Sequence, residues 1–69
     1  MKVLQTCALK SLEYGDYFQF KGRDQMYVCI GRFSDSSIHY QSTNSGRRYI
    51  SNWWDKNQNS PVEILQYGN

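Results

Sequence analysis

The sequence is poor in the residues that build metal centres, disulfide frameworks and membrane spans. It has one histidine, His39, and two cysteines, Cys7 and Cys29, without the Cys/His spacing of a zinc site. Two cysteines could form one disulfide on count alone, but Cys29 lies in an apolar segment, where free cysteine behaves as a small hydrophobic residue. Reduced thiols and a cytoplasmic protein are therefore the simpler expectation. No segment approaches the roughly 20 apolar residues of a transmembrane helix, and we expect no membrane partner.

A recognisable catalytic arrangement is also missing from the sequence. His39 has no nucleophile near it along the chain, the six carboxylates are scattered, and there is no glycine-rich phosphate loop. A chain this short buries only roughly 60% of the surface that its unfolded form exposes, which leaves little room for a water-excluding active site. We therefore predict a protein that is not an enzyme and has no metal and no cofactor.

Charge of one sign is only in mild excess. Eight Lys and Arg residues against six Asp and Glu residues give a net charge of +2, and residues 21–48 hold five positive and two negative charges. Sequence-independent binding to nucleic acid grows with the number of phosphates neutralised. This balance alone is typical of solvated loops and does not indicate a nucleic-acid partner.

What the sequence has in quantity is aromatic residues. Six Tyr, three Phe and two Trp make 16% of a chain whose whole hydrophobic share is 39%. Each large ring buries much apolar area, so a few rings can fill the core of a small barrel. We expect some of the eleven aromatic side chains to lie outside the core, at the surface.

Alternation of apolar and polar residues predicts five short strands separated by tight turns. They cover residues 17–21, 26–30, 38–43, 47–50 and 61–66. Residues 2–12 fit a short helix and a first strand equally well. Five such strands predict a single all-β domain over residues 1–69, closed into an antiparallel barrel that leaves few free edges.

The same alternation predicts which side chains face the core. The expected inward set is Phe18, Phe20, Met26, Val28, Ile30, Ile38, Tyr40, Val62 and Ile64. Tyr17, Tyr27 and His39 are expected on the outer faces, and Gly31 is expected to mark a bulge. Residues 51–55 begin with a cap-type residue and are predicted to form a 3₁₀ turn before the last strand.

Residues 12–22, Leu-Glu-Tyr-Gly-Asp-Tyr-Phe-Gln-Phe-Lys-Gly, resemble the opening of short SH3-like proteins from bacteria and phages. Residues 46–54, with Ser51, Asn52 and an aromatic residue before the final strand, resemble the SH3 segment that carries a 3₁₀ turn. The resemblance implies a five-stranded SH3-like barrel and a phage-type accessory or inhibitory protein acting in the host cytoplasm. Ala8-Leu9-Lys10 lacks the tyrosines of the SH3 Ala-Leu-Tyr-Asp-Tyr motif, so the usual proline-peptide groove is not implied.

The leading functional prediction is a protein–protein interaction module. Trp, Tyr and Arg dominate the hot spots of protein interfaces, and here they cluster near the fourth strand. The predicted partner-binding residues are Arg47, Arg48, Tyr49, Trp53, Trp54, Tyr17 and Tyr27. The competing structural interpretation is that one of the two tryptophans plugs the barrel and that the outer tyrosines form stabilising cross-strand pairs.

Two alternatives remain open on the sequence alone. The first is a small nucleic-acid-binding barrel, in which guanidinium and ammonium groups contact phosphates and rings stack on bases. Its predicted binding residues are Lys21, Arg23, Arg32, Arg47 and Arg48, beside Tyr27 and Trp53. The second is a homodimer formed through an exposed strand edge.

Overall fold

Alternating side chains build six antiparallel strands and no α-helix in the part of the chain that the computed structural model describes, residues 2–34 and 36–66. The strands are β1 (Lys2–Ala8), β2 (Tyr17–Phe20), β3 (Tyr27–Arg32), β4 (Ile38–Ser42), β5 (Arg48–Ser51) and β6 (Pro61–Gln66). Two 3₁₀ turns, η1 (Leu9–Ser11) and η2 (Lys56–Asn59), follow β1 and precede β6. The all-β class is confirmed, with six strands instead of five because residues 2–8 form a strand.

The strands form one sheet in the order β1-β6-β2-β3-β4-β5. β2 to β5 follow one another as a meander, and the chain then returns so that β6 lies between β1 and β2. Among the described residues, β1 pairs only with β6 and β5 pairs only with β4. The pairing is therefore open between β1 and β5, and the predicted closed barrel is not confirmed.

The core lies on one face of this sheet and is rich in rings. Its buried members are Leu9, Leu12, Phe18, Cys29, Ile38, Tyr40 and Val62, with Phe20, Tyr27, Tyr49 and Ile64 partly buried against them. The Phe18 ring meets the rings of Phe20, Tyr27 and Tyr40 at centroid distances of 5.8, 5.6 and 5.7 Å. Edge-to-face and offset contacts of this kind add to the free energy gained from burial alone.

The predicted faces of β3 are exchanged in the structure. Tyr27 and Cys29 belong to the core side, whereas Val28 and Ile30 were expected there, and the partly buried Met26 precedes the strand. The register explains the exchange, because Cys29 pairs with the buried Tyr40 and Tyr27 pairs with the buried Ser42. Both faces of this strand carry apolar residues, so a shift of one position swaps them without breaking the pattern.

The 3₁₀ turn before the last strand is present but lies later than predicted. Ser51 still belongs to β5, and the Asp55 amide donates to the Asn52 carbonyl at 3.0 Å to close a tight turn around the two tryptophans. The Asp55 carboxylate in turn accepts a hydrogen bond from the Asn52 amide at 2.9 Å. This turn ends at Asp55, so η2 forms over the residues that were predicted to be a polar loop.

No helix in the described segments is long and apolar enough to cross a membrane.

Candidate binding surfaces

Both tryptophans of the turn after β5 lie at the surface. Trp53 and Trp54 are each 64% exposed, and their rings contact each other edge to face with centroids 5.6 Å apart. The ends of the turn between Asn52 and Asp55 are joined by one backbone hydrogen bond and by one bond from the Asn52 amide to the Asp55 carboxylate, and the two indoles lie outside it. The interpretation that one tryptophan plugs a barrel is therefore wrong.

The β5 strand divides the predicted partner-binding cluster between two faces. Arg48 and Ile50 point outward, Ile50 with 57% of its surface exposed, and Arg47 is exposed just before the strand. Tyr49 points to the other side, where its ring stacks on Tyr40 with centroids 5.4 Å apart and planes at 18°. One edge of the sheet therefore carries Arg47, Arg48, Ile50 and the tryptophan turn. Tyr49 belongs to the same strand, but its side chain points to the opposite face.

Tyr49 instead lines an open cavity of about 580 Å³. Four rings of the core cluster form much of its wall, with Lys21 and Arg23 of the β2–β3 loop beside them. The full lining is Phe20, Lys21, Arg23, Tyr27, Tyr40, Tyr49, Asn57, Ser60 and Pro61. Two predicted sets meet here, because Tyr27 and Tyr49 came from the protein-interface set and Lys21 and Arg23 from the nucleic-acid set.

Tyr40 is the most buried of the three tyrosines that line this cavity. Burial raises the pKa of the Tyr40 hydroxyl, and the neighbouring Tyr27, Tyr49 and Asp55 raise the same pKa further. Tyr40 therefore keeps its proton through the physiological range. The lining of the cavity therefore combines the neutral phenol of Tyr40 with the cationic side chains of Lys21 and Arg23.

Two further predicted residues lie outside the aromatic cavity and belong neither to β5 nor to the tryptophan turn. Tyr17 stands on β2 opposite Val28 and lines a shallow outer cavity of about 370 Å³, which also includes Arg48. Arg32, at the far end of β3 from the β2–β3 loop, donates from its guanidinium to the Leu12 carbonyl at 3.2 Å. The five predicted nucleic-acid-binding cations therefore do not form one patch.

The two cysteines differ in burial, because Cys29 is buried and Cys7 is only partly buried. Cys7 and Cys29 are both free thiols, and burial raises the pKa of each. Within residues 2–34 and 36–66, no three His, Cys, Asp or Glu side chains come together as a metal site would require. His39 instead packs its ring against Phe33, with centroids 4.0 Å apart, and approaches the Ser37 hydroxyl at 3.2 Å.

Sequence reasoning missed several exposed apolar side chains of the described region. Ile50 was included only as part of a predicted strand, and Phe33 was not singled out, yet each exposes half or more of its surface. The sequence did contain a signal for the exposure of Ile50. Because side chains alternate along a strand, Ile50 falls on the face opposite to that of Tyr49. Phe20 and Tyr40 were predicted as core residues, and they also line the aromatic cavity.

Comparison of the chain with protein-family models, with curated proteins and with solved structures gave no match.

Proposed function

We propose that this chain is a non-enzymatic protein-interaction module whose contact surface is centred on Trp53 and Trp54. The observation that carries the proposal is the exposure of both indoles at 64%. Tryptophan is highly buried on average in folded proteins, and it is the residue most enriched at interface hot spots together with Tyr and Arg. Two adjacent, exposed indoles follow a strand that carries Arg48 and Ile50 and is preceded by Arg47, and together these residues have the composition of such a hot spot.

The fold that we propose for the module is an SH3-like small barrel. The order of the strands supports it, because β2 to β5 form a meander and β6 returns to pair with β2 after a 3₁₀ turn. In this interpretation β1 is an additional strand along the outer side of β6. A phage-type accessory or inhibitory role is consistent with an interaction module of this kind.

The test is capture of a protein partner from a nuclease-treated extract of the cells that encode the chain. We expect Trp53→Ala and Trp54→Ala to abolish capture while circular dichroism shows an unchanged fold. Leu4→Ala is the control, because Leu4 is 57% exposed but lies on β1, at the opposite edge of the sheet. Equal capture by all four proteins, or no capture by the unmodified chain, would overturn the proposal.

A second candidate function is single-stranded nucleic-acid binding at the aromatic cavity. The specific observation behind it is that Lys21 and Arg23 stand beside a wall of tyrosine rings. Single-strand binding sites combine a basic groove with rings on which bases stack. Labelled mixed-sequence DNA and RNA oligonucleotides should then bind at low salt, weaken steeply as salt rises, and be lost in Lys21→Ala/Arg23→Ala. No retention at low salt would eliminate this candidate.

A further inference from the structure

The β5 strand is a free edge of the sheet beside the tryptophan turn. Among the described residues it pairs with β4 alone, through Ile38–Ser51, His39–Ile50, Tyr40–Tyr49 and Gln41–Arg48. An edge strand presents a row of backbone donors and acceptors that can pair with another extended chain. Such pairing requires backbone N–H and C=O groups of β5 that are not already bonded to β4.

The ladder between β4 and β5 fixes which backbone groups point outward. The Ser42 amide donates to the Arg47 carbonyl at 2.9 Å, which marks that pair as hydrogen-bonded. Bonded and non-bonded pairs alternate along an antiparallel ladder, so Tyr49 and Ser51 are the next residues bonded to β4. The N–H and C=O groups of Arg48 and Ile50 therefore face the free edge.

The side chains along this edge form a gradient from cationic to apolar. Arg47 and Arg48 stand at its start, Ile50 is exposed in its middle, and Trp53 and Trp54 follow its end. Residues 47–54 contain no Asp or Glu. The nearest carboxylate along the chain, Asp55, already accepts the hydrogen bond from the Asn52 amide.

We propose that the β5 edge binds an extended acidic segment of a partner protein as an additional strand of the sheet. The partner backbone pairs with Arg48 and Ile50, its carboxylates lie beside Arg47 and Arg48, and its apolar residues cover Ile50 and the indoles. Strand addition takes affinity from main-chain bonds and specificity from alternate side chains. This inference rests on the proposed function and names the chemistry of its partner.

Charge complementarity selects this partner over a second copy of the chain. Parallel pairing of β5 with β5 of another copy would bring together four guanidinium groups from residues 47 and 48, and antiparallel pairing would leave them without a carboxylate partner, because residues 47–54 contain none. Like charges brought together across an interface disfavour the wrong partner. The opposite edge of the sheet, β1, has no charged residue between Val3 and Ala8 and so offers no such selection.

The first experiment is a nuclear magnetic resonance titration of the intact chain with defined peptides. The probes are Asp-Thr-Glu-Thr-Val-Thr-Phe and its reverse sequence, which place acidic and apolar residues on one face in either chain direction. We expect one of them to shift and protect from hydrogen exchange the amides of Arg48 and Ile50. Matched peptides with Lys in place of Asp and Glu should bind at least about tenfold more weakly, because the charge pairs are reversed.

Backbone pairing is tested separately from charge. N-methylation of alternate peptide amides along one edge should abolish binding, whereas the same change along the other edge should leave it intact. In the protein, Ile50→Pro removes a backbone donor that faces solvent and spares the ladder to β4, since proline is tolerated at such edge positions. We therefore expect this variant to keep its fold and to bind the acidic peptide more weakly. Arg47→Glu/Arg48→Glu should lose the acidic peptide, and Lys21→Glu/Arg23→Glu is the control with the same change of charge.

Each remaining outcome overturns strand addition at β5. Strand addition is wrong if the shifts are confined to β1 or to the aromatic cavity, if acidic and basic peptides bind equally, or if neither acidic probe binds. It is also wrong if the unmodified chain forms dimers that Ile50→Pro abolishes, because β5 would then pair with a second copy. The same variants separate this inference from the proposed function. If Ile50→Pro and Arg47→Glu/Arg48→Glu capture the cellular partner as well as the unmodified chain does, the interaction module stands and strand addition is wrong. If the unmodified chain captures no protein at all, the proposed function itself fails.

Discussion

The side-chain amide of Gln58 donates to the carbonyl oxygen of Ser51 at 2.9 Å. The same nitrogen donates to the Ser36 carbonyl at 2.9 Å, and Gln58 is only 6% exposed. One buried amide thus joins η2 to the end of β5 and to the β3–β4 loop. Since β5 pairs with one strand only among the described residues, this contact helps to hold the outer strand in place.

Replacing the Gln58 amide should destabilise the fold. We expect Gln58→Met, which keeps the length of the side chain, to lower the free energy of unfolding by about 1–3 kcal/mol, because the buried hydrogen bond to the Ser51 carbonyl and the partly buried one to the Ser36 carbonyl are both lost. Asn59→Ala, at the exposed neighbouring position, should change it by less than about 0.5 kcal/mol. Urea denaturation measures both values. A Gln58→Met variant as stable as the unmodified chain would contradict the bridging role.

Tyr40 should make stability fall at alkaline pH. Burial, with Tyr27, Tyr49 and Asp55 nearby, raises its pKa above the ordinary value of 10.0. Its contribution to stability is then fully present below pH 10 and is lost as the pH rises through the folded-state pKa. Denaturation between pH 8 and pH 12 should show a decline that Tyr40→Phe reduces and Tyr14→Phe does not. Identical pH profiles for both variants would speak against a raised pKa.

Loss of either tryptophan should leave stability nearly unchanged. Because Trp53 and Trp54 are both exposed, we expect Trp53→Ala and Trp54→Ala to change the free energy of unfolding by less than about 0.5 kcal/mol. Phe18→Ala, by comparison, should cost about 3–5 kcal/mol and unfold much of the population. Quenching of indole fluorescence by iodide in the folded protein checks the exposure directly. Strong protection of one indole would return that ring to the core.

The thiols should differ in reactivity. Cys29 is 1% exposed and burial raises its pKa, so we expect almost no reaction with a thiol-specific disulfide reagent until the chain is unfolded. Cys7 is less buried and should react first, though slowly, because its pKa is raised as well. Labelling kinetics with and without urea measure both. Equal rates for Cys29 in the two conditions would place it outside the core.

The sequence predicted the fold best where only one face of a strand is apolar. β4 alternates Ile38, Tyr40 and Ser42 with the more exposed His39 and Gln41, and the structure confirms this alternation. β3 carries apolar residues on both faces, so its register depends on the neighbouring strands, which local periodicity does not describe. The bulge at Gly31 was predictable because an isolated glycine interrupts the strand pattern.

The binding surfaces were predicted in composition but not in arrangement. Arg47, Arg48, Trp53 and Trp54 are neighbours in sequence, and the structure keeps them along one edge. Tyr27 was assigned to the outer face, and its place in the aromatic cavity follows from contacts with Tyr40 and Tyr49, at 5.3 and 5.9 Å. These rings come from three strands, so their meeting depends on tertiary structure.

The central place of β6 in the sheet has a consequence for synthesis on the ribosome. β6 separates β1 from β2, so strands from the two ends of the described chain must meet before the sheet is continuous. Pairings of such long sequence separation form late, because the cost of closing the loop precedes the gain from contact. Until residues 61–66 leave the exit tunnel, β1 has no partner strand among the described residues, and the β2–β5 meander keeps a second edge open. Before β6 emerges, the sheet on the nascent chain is therefore incomplete.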